Sequence, residues 1–395
     1  MTVANNSGDA LRIAHVTMPF STAGSSVTGV VRALCEVDAS RGGKPLVVSS
    51  AERQVDVPSA EVLRAHYSSV APREYFNGWE MRLDHLAGFV GRERPYTSRL
   101  FVPAIEQLTA HRLDAVVVHE GHYATSSLPR WKAALKAPLV LYVHTPISRA
   151  FGRAELRRRL SQADHLIFVS DHLRSRTLRR LRRSVSCAST IVPNGVNQAT
   201  FHATGRVDRT GPLRVTYVGQ VAPHKGVLEL LKAVRSATSD LTIHVVGSAH
   251  HAAGLPLSPY EQELRRFAAS SKLKAVFLPF ASQAEVAQFF RSSDVVCVPS
   301  LWDEPFGMTA LEAMACGAAV VASDRGGLPE ACGGAAVLVN PEDTDAFASV
   351  LEDLTEPGRL QAAQTRSVVR ARHASWEASF EVFEAVVRGI GRGTN

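Results

Sequence analysis

The stretch DVVCVPSLWDEPFGMTALEAMACGAAVVAS (294–323) decides how this chain is read. It opens on an apolar run, DVVCVPS (294–300), and passes through a Pro-Phe-Gly turn. It then continues in good helix formers as far as Gly317, a residue suited to the position just past a helix end. A second apolar run, AAVVAS (318–323), follows at once. Strand, helix and strand in succession, with apolar runs that are continuous and do not alternate, predict parallel strands covered on both faces.

The same rhythm extends in both directions. LRIAHVT (11–17), PLVVSS (45–50), DAVVVH (114–119), PLVLYVH (138–144) and HLIFVS (165–170) precede it, and LRVTYVG (213–219), LTIHVVG (241–247), KAVFLPF (274–280) and AAVLVN (335–340) complete it. The expected class is α/β: two Rossmann-like, doubly wound domains facing a cleft. The turn-rich segment 194–212 marks the linker, giving an N-terminal domain over 1–200 and a C-terminal domain over 201–375. Trp376, Phe380, Phe383 and Val387 fall at i, i+4, i+7 and i+11, so 376–395 is expected to form an amphipathic helix that crosses back towards the N-terminal domain.

Composition narrows the class but not the activity. The 395 residues are 45% hydrophobic and 21% charged, which excludes a disordered or fibrous chain. The longest apolar runs fall far short of the roughly 20 residues that cross a bilayer. The first residues, MTVANNSGDALR, lack the basic and apolar regions of a secretion signal. Five scattered cysteines with no metal-ligand spacing fit a reducing compartment, so a cytoplasmic location is expected. The net charge of +7 comes mainly from arginine. Its densest cluster, Arg149 to Arg183, reads as a solvated basic face. No run of Trp or Phe alternating with the arginines offers an apolar anchor for a peripheral membrane contact, and no motif or stacking aromatics support nucleic acid.

The chemistry concentrates where the opening stretch turns from strand to helix. Glu304 lies in that loop and Glu312 about one turn inside the helix, at the carboxyl end of a parallel sheet, where open α/β folds bind ligands. The backbone N–H groups around Gly307 to Ala310 form a positive helix end suited to phosphate. A carboxylate aimed at that phosphate would repel it, so sugar or ribose hydroxyls are the better partners for Glu312. A diphosphate-linked sugar meets all three conditions.

Glu304, seven intervening residues and Glu312, within EPFGMTALEAMACGAAVVAS and followed by GGLPE (326–330), resemble the signature of the retaining nucleotide-sugar glycosyltransferases of GT-B fold, family 4. VGQVAPHKGV (218–227), PNGVNQATF (193–201) and YVHTP (142–146) support the resemblance. It implies that Glu312 holds the nucleotide ribose and that Glu304 contacts hydroxyls of the transferred sugar. The amides of Phe306, Gly307, Met308 and Thr309 would line sugar and phosphate, Lys225 would neutralise the diphosphate, and His144 would hydrogen-bond the donor sugar. It also implies a hydroxyl acceptor, no cofactor and no obligatory metal.

Two places depart from the family pattern. Gln220 stands where an arginine is common, and Arg325 in SDRGG is the candidate to replace that charge, with a solvent-facing arginine as the plain alternative. The N-terminal loop PFSTAGSSVTGVVRAL (19–34) lacks the adjacent glycine pair, although Gly24 still permits close backbone approach. HEGH (119–122) is not a helical HExxH zinc motif, and no third ligand declares itself. His119, His122 and Tyr123 are instead candidates to line the acceptor site. A catalytically inactive GT-B partner protein and a GT-B sugar phosphorylase are the rival readings.

Overall fold

The computed structural model describes residues 10–18, 26–53, 55–70, 76–119, 121–147, 151–181, 185–207, 211–250 and 255–391. Two compact units divide the chain between Val192 and Pro193 and again between Ala378 and Ser379, so the C-terminal end belongs to the first unit. Thirteen strands are seen among the described residues. The first unit holds β1 (Ile13–Val16), β2 (Leu46–Ser50), β3 (Glu61–Ala65), β4 (Ala115–His119), β5 (Leu139–Val143), β6 (His165–Phe168) and β7 (Ala188–Ile191). The second holds β8 (Leu213–Val218), β9 (Leu241–Val246), β10 (Ala275–Leu278), β11 (Val295–Val298), β12 (Ala319–Ser323) and β13 (Val337–Val339).

All pairings between these strands are parallel. The first sheet runs β3-β2-β1-β4-β5-β6-β7 and the second β10-β9-β8-β11-β12-β13. Each therefore reverses direction between its first and fourth strands, the doubly wound order in which ligands bind beyond the carboxyl ends of the two central strands. β4, β5, β11 and β12 are buried along their whole length, as continuous apolar runs between helical layers require. β3 and β7 lie at the edges of the first sheet, are mostly half-exposed, and were not marked by apolar runs in the sequence.

The C-terminal helix Trp376–Gly391 buries Phe380, Phe383 and Val387, the stripe its spacing predicts. Within the first unit, Phe383 stacks 5.7 Å from His15 and 6.5 Å from Tyr142, while the Arg41 guanidinium lies 5.3 Å over the Phe380 ring. Arg41 also pairs with Glu381 and Glu384. Phe380, Phe383 and Val387 are thus part of the first unit's core. Phe383→Ala is expected to destabilise that unit by about 3–5 kcal/mol in urea unfolding. Val382→Ala, on the exposed side, is expected to change it by no more than about 0.5 kcal/mol.

Candidate active site

In the second unit, two loops leave the central strands β8 and β11 and are fastened together. The first contains the turn Pro223–Lys225 and Gly226, whose backbone is left-handed at φ 71°. A Cβ there would collide with the carbonyl oxygen of Pro299, so glycine is required for the loops to approach this closely. Leu301 N donates to His224 O at 2.9 Å, and His224 meets Trp302 edge-on at 5.7 Å. The Lys225 ammonium sits 5.1 Å from the Trp302 ring centre. Lys225 Nζ then donates to Glu304 Oε1 at 2.8 Å, and Ser300 Oγ donates to the same oxygen at 2.6 Å. Glu304 Oε2 has no partner among the described residues.

From behind, Gly326 and Gly327 support this loop. Gly326 has φ 66° and lies so close to Glu304 that a side chain would strike its backbone. Gly327 N donates to Glu304 O at 2.7 Å. The helix Met308–Ala315 starts immediately afterwards, and no side chain among the described residues caps its N-terminus. Phe306 is buried, while Gly307, Met308 and Thr309 are partly exposed. Glu312, in the next turn, is half-buried, and its side chain makes no hydrogen bond or ion pair with described residues. Burial pushes its carboxyl up to about 7. Lys225 is thus joined to Glu304 just ahead of the helix start, and the Glu312 carboxylate follows one turn into the helix.

Gln220 and Arg325 are both engaged elsewhere. Gln220 Nε2 donates to Ala249 O at 3.1 Å, and Tyr217 OH donates to Gln220 O at 2.6 Å. Arg325 donates to Leu301 O at 3.0 Å and to Asn340 Oδ1 at 2.8 Å, and pairs with Glu342. Gly24 lies outside the described residues.

The first unit carries a second constellation at its own switch point. His15 of β1 and His119 of β4 are fully buried, and His144 just past β5 is nearly so. His15 Nδ1 lies 2.8 Å from His119 Nε2, and His119 Nδ1 lies 3.0 Å from His144 Nε2. Tyr142 stacks on His144 at 4.3 Å and donates its hydroxyl to Val192 O at 2.9 Å. Burial lowers His15 and His144 to about 3 and His119 well below its ordinary value, so the three rings are neutral.

Three neutral rings share three protons, and their two contacts force all three to point the same way. His15 Nε2 is buried without a partner among the described residues. If it bore a proton, an orphaned donor would be buried; if it is bare, only an acceptor goes unmet, the less costly outcome. The second arrangement leaves the proton on His144 Nδ1, which none of the described residues uses. His119 is therefore an internal link of this ladder, whereas His122 and Tyr123 begin the helix His122–Ala134 and contact Phe151 and Phe76 at 5.2 and 6.4 Å. Sequence reading did not single out His15, Ser300 or Trp302. A histidine inside the otherwise apolar strand IAHV was the available signal for the first. Among the described residues, no group of three or more His, Cys, Asp or Glu side chains is arranged to hold a metal ion.

Comparison with known proteins places the chain in a family. The profile of the glycosyl transferases group 1 matches residues 205–367, and that of Glycosyltransferase Family 4 matches 30–200. The chain is 30% identical over 314 residues to D-inositol 3-phosphate glycosyltransferase of Mycolicibacterium vanbaalenii, covering 70% of this chain and 66%, just under two thirds, of that protein. The protein of the same name from Kineococcus radiotolerans is 30% identical over 322 residues, 73% of this chain and 71% of its own length. Among solved structures, sucrose-phosphate synthase from Thermosynechococcus elongatus superposes with a TM-score of 0.73 at 19% identity, covering 97% of this chain and all of that one. That likeness is one of fold, GT-B.

The ladder also makes stability depend on pH. Unfolded histidines bind a proton near pH 6.5, whereas the folded rings resist it until far lower pH. Their contribution is present above pH 6.5 and is lost as pH falls, by about 1.4 kcal/mol per pH unit for each histidine. Urea unfolding between pH 7 and 4.5 is expected to show this slope, and His15→Gln is expected to reduce it by one histidine's share.

Proposed function

Because the chain belongs to the glycosyl transferases group 1 of family 4, we propose that it moves a sugar, with retention of anomeric configuration, from a nucleoside diphosphate to an acceptor hydroxyl. The observation that carries this reading is the Lys225–Glu304 pair beside the uncapped start of the Met308–Ala315 helix.

Lys225 spends one of its three N–H donors on Glu304 and retains two for a diphosphate. The amides of Met308 and Thr309 add the positive end of a helix to the same place. A nucleoside diphosphate is already a good leaving group, so it needs stabilisation of developing charge more than protonation. That need is met without an obligatory metal. Glu304, with one oxygen held by Lys225 and Ser300, offers the other to hydroxyls of the transferred sugar. Glu312 accepts from the ribose. His144 offers its free Nδ1 to the sugar, and the departing phosphate helps take the acceptor's proton. The placement of Gln220 on Ala249 leaves Lys225 as the main cation for the phosphate.

The pair of carboxylates is not read as the acid and base of a glycoside hydrolase, because Glu304 is already committed to a cation. The polyol phosphate in the relatives' name makes D-inositol 3-phosphate the first acceptor to supply.

A thermal-shift panel of UDP-, GDP-, ADP- and TDP-sugars should identify one stabilising donor, and NMR of the product should show the donor's anomeric configuration. If no nucleotide sugar binds, the reading fails, and a demand for inorganic phosphate would indicate a phosphorylase. Lys225→Ala is expected to lower kcat/KM by about a hundredfold or more, and Glu304→Gln to lower kcat chiefly. Glu312→Ala should weaken donor binding by roughly tenfold to a hundredfold, the scale of hydrogen bonds to a charged group. With the wild type, donor affinity should fall as pH drops through about 7, where Glu312 takes up its proton.

A further inference from the structure

The helix Gly78–Phe89 in the first unit has the reverse of the usual amphipathic arrangement. Its buried positions are Asp84 and Gly88. Its outer face carries Trp79 (66% exposed) and Leu86 (62%), at i and i+7, with Phe89 (86%) beside them and Val90 (59%), just past the helix end, at i+11. Single exposed apolar side chains are ordinary in soluble proteins, but four large ones aligned on one helix face are not.

This face is rigidly mounted. Asp84 accepts from the amides of Tyr96 and Thr97 at 2.9 Å each. Just beyond the helix, Arg94 forms a two-pronged contact with Glu155 at 2.8 and 3.0 Å, and Arg159 Nε reaches the same carboxylate at 2.9 Å. These groups are buried, and the Arg94 guanidinium lies 4.2 Å over the Phe151 ring. Gly88 lies against Glu155, and a Cβ on Gly91 would come within 3.7 Å of Arg158 Nη1. The network therefore seats the end of the apolar face directly on the arginine-rich helix Arg153–Leu160.

Charge selects the occupant. Arg82, Arg92 and Arg158 are exposed, and no ion pair or hydrogen bond engages their guanidinium groups among the described residues. Between Arg149 and Arg183 the chain has eleven arginines against three acidic residues. In a two-fold dimer through this face, the same patch would meet its own copy, bringing Arg82, Arg92 and Arg158 of two molecules together. An anionic lipid surface instead neutralises the arginines while the acyl boundary receives the apolar side chains. The geometry points to the Gly78–Phe89 helix and the neighbouring arginines as a peripheral docking surface for an anionic bilayer. The apolar anchor that the arginine cluster lacks in sequence is supplied by a helix some 65 residues upstream.

The test uses the full chain with phosphatidylcholine vesicles, with and without phosphatidylglycerol, and reads binding alone, so its outcome does not depend on sugar transfer. Trp131 and Trp376 are buried and Trp302 is half-buried, which leaves Trp79 as the exposed reporter. The protein is expected to co-sediment with the anionic vesicles and little with the neutral ones, with a blue shift of tryptophan emission that disappears in Trp79→Phe while binding persists. Leu86→Ser with Phe89→Ser should reduce partitioning by about tenfold or more, and Arg92→Glu with Arg158→Glu by a similar factor that high salt abolishes in the wild type. These positions are exposed, so unchanged circular dichroism should accompany the losses. Equal binding to both vesicle types, no binding at all, or a dimer in sedimentation velocity that Phe89→Ser dissolves would each overturn the proposal.

Discussion

One ion pair organises the second unit's strand-ends: Lys225 Nζ to Glu304 Oε1 at 2.8 Å. Its energetic contribution is modest, because both side chains keep some exposure to water. Its effect is geometric. It joins the loop after β8 to the loop after β11, with Gly226 permitting the approach on one side and Gly326 on the other. The Glu304 carboxylate, just ahead of the helix start, has its charge offset by the Lys225 ammonium. The ammonium spends one of its three donors on Glu304, four residues ahead of the first residue of the helix Met308–Ala315.

The same topological rule places chemistry in both units, by different means. In each sheet the chain order reverses beside the first strand, and the polar residues gather where that reversal opens the strand-ends. The second unit supplies charge and backbone amides. The first supplies neutral imidazoles, kept neutral by burial and aligned by one another, so that His144 has a single nitrogen left to offer. Phe383 closes the ladder by stacking on His15, which gives the C-terminal helix a part in holding it.

The central strands were legible in the sequence because burial on both faces leaves them no polar positions. Edge strands obey a different constraint: EVLRA in β3 and ASTI in β7 have partial access to water, so their residues show no continuous apolar run. Glu304, Glu312 and Lys225 could be found because the loop and helix that carry two of them are contiguous in the chain. His15 and His119 lie 104 residues apart and meet only through the pairing of β1 with β4, which local pattern does not reveal. The reversed face of Gly78–Phe89 escaped for a related reason. Its apolar residues resemble a core stripe until the buried Asp84 and Gly88 show which side faces inward.

The most direct measurement is a crystal structure of the protein with a nucleoside diphosphate sugar bound. The diphosphate is predicted to lie within hydrogen-bond distance of Lys225 Nζ and of the Met308 and Thr309 amides, with the ribose hydroxyls on Glu312 and the sugar hydroxyls on Glu304. A diphosphate bound elsewhere, with Lys225 still occupied by Glu304 alone and Glu312 without a ligand partner, would contradict the assignment.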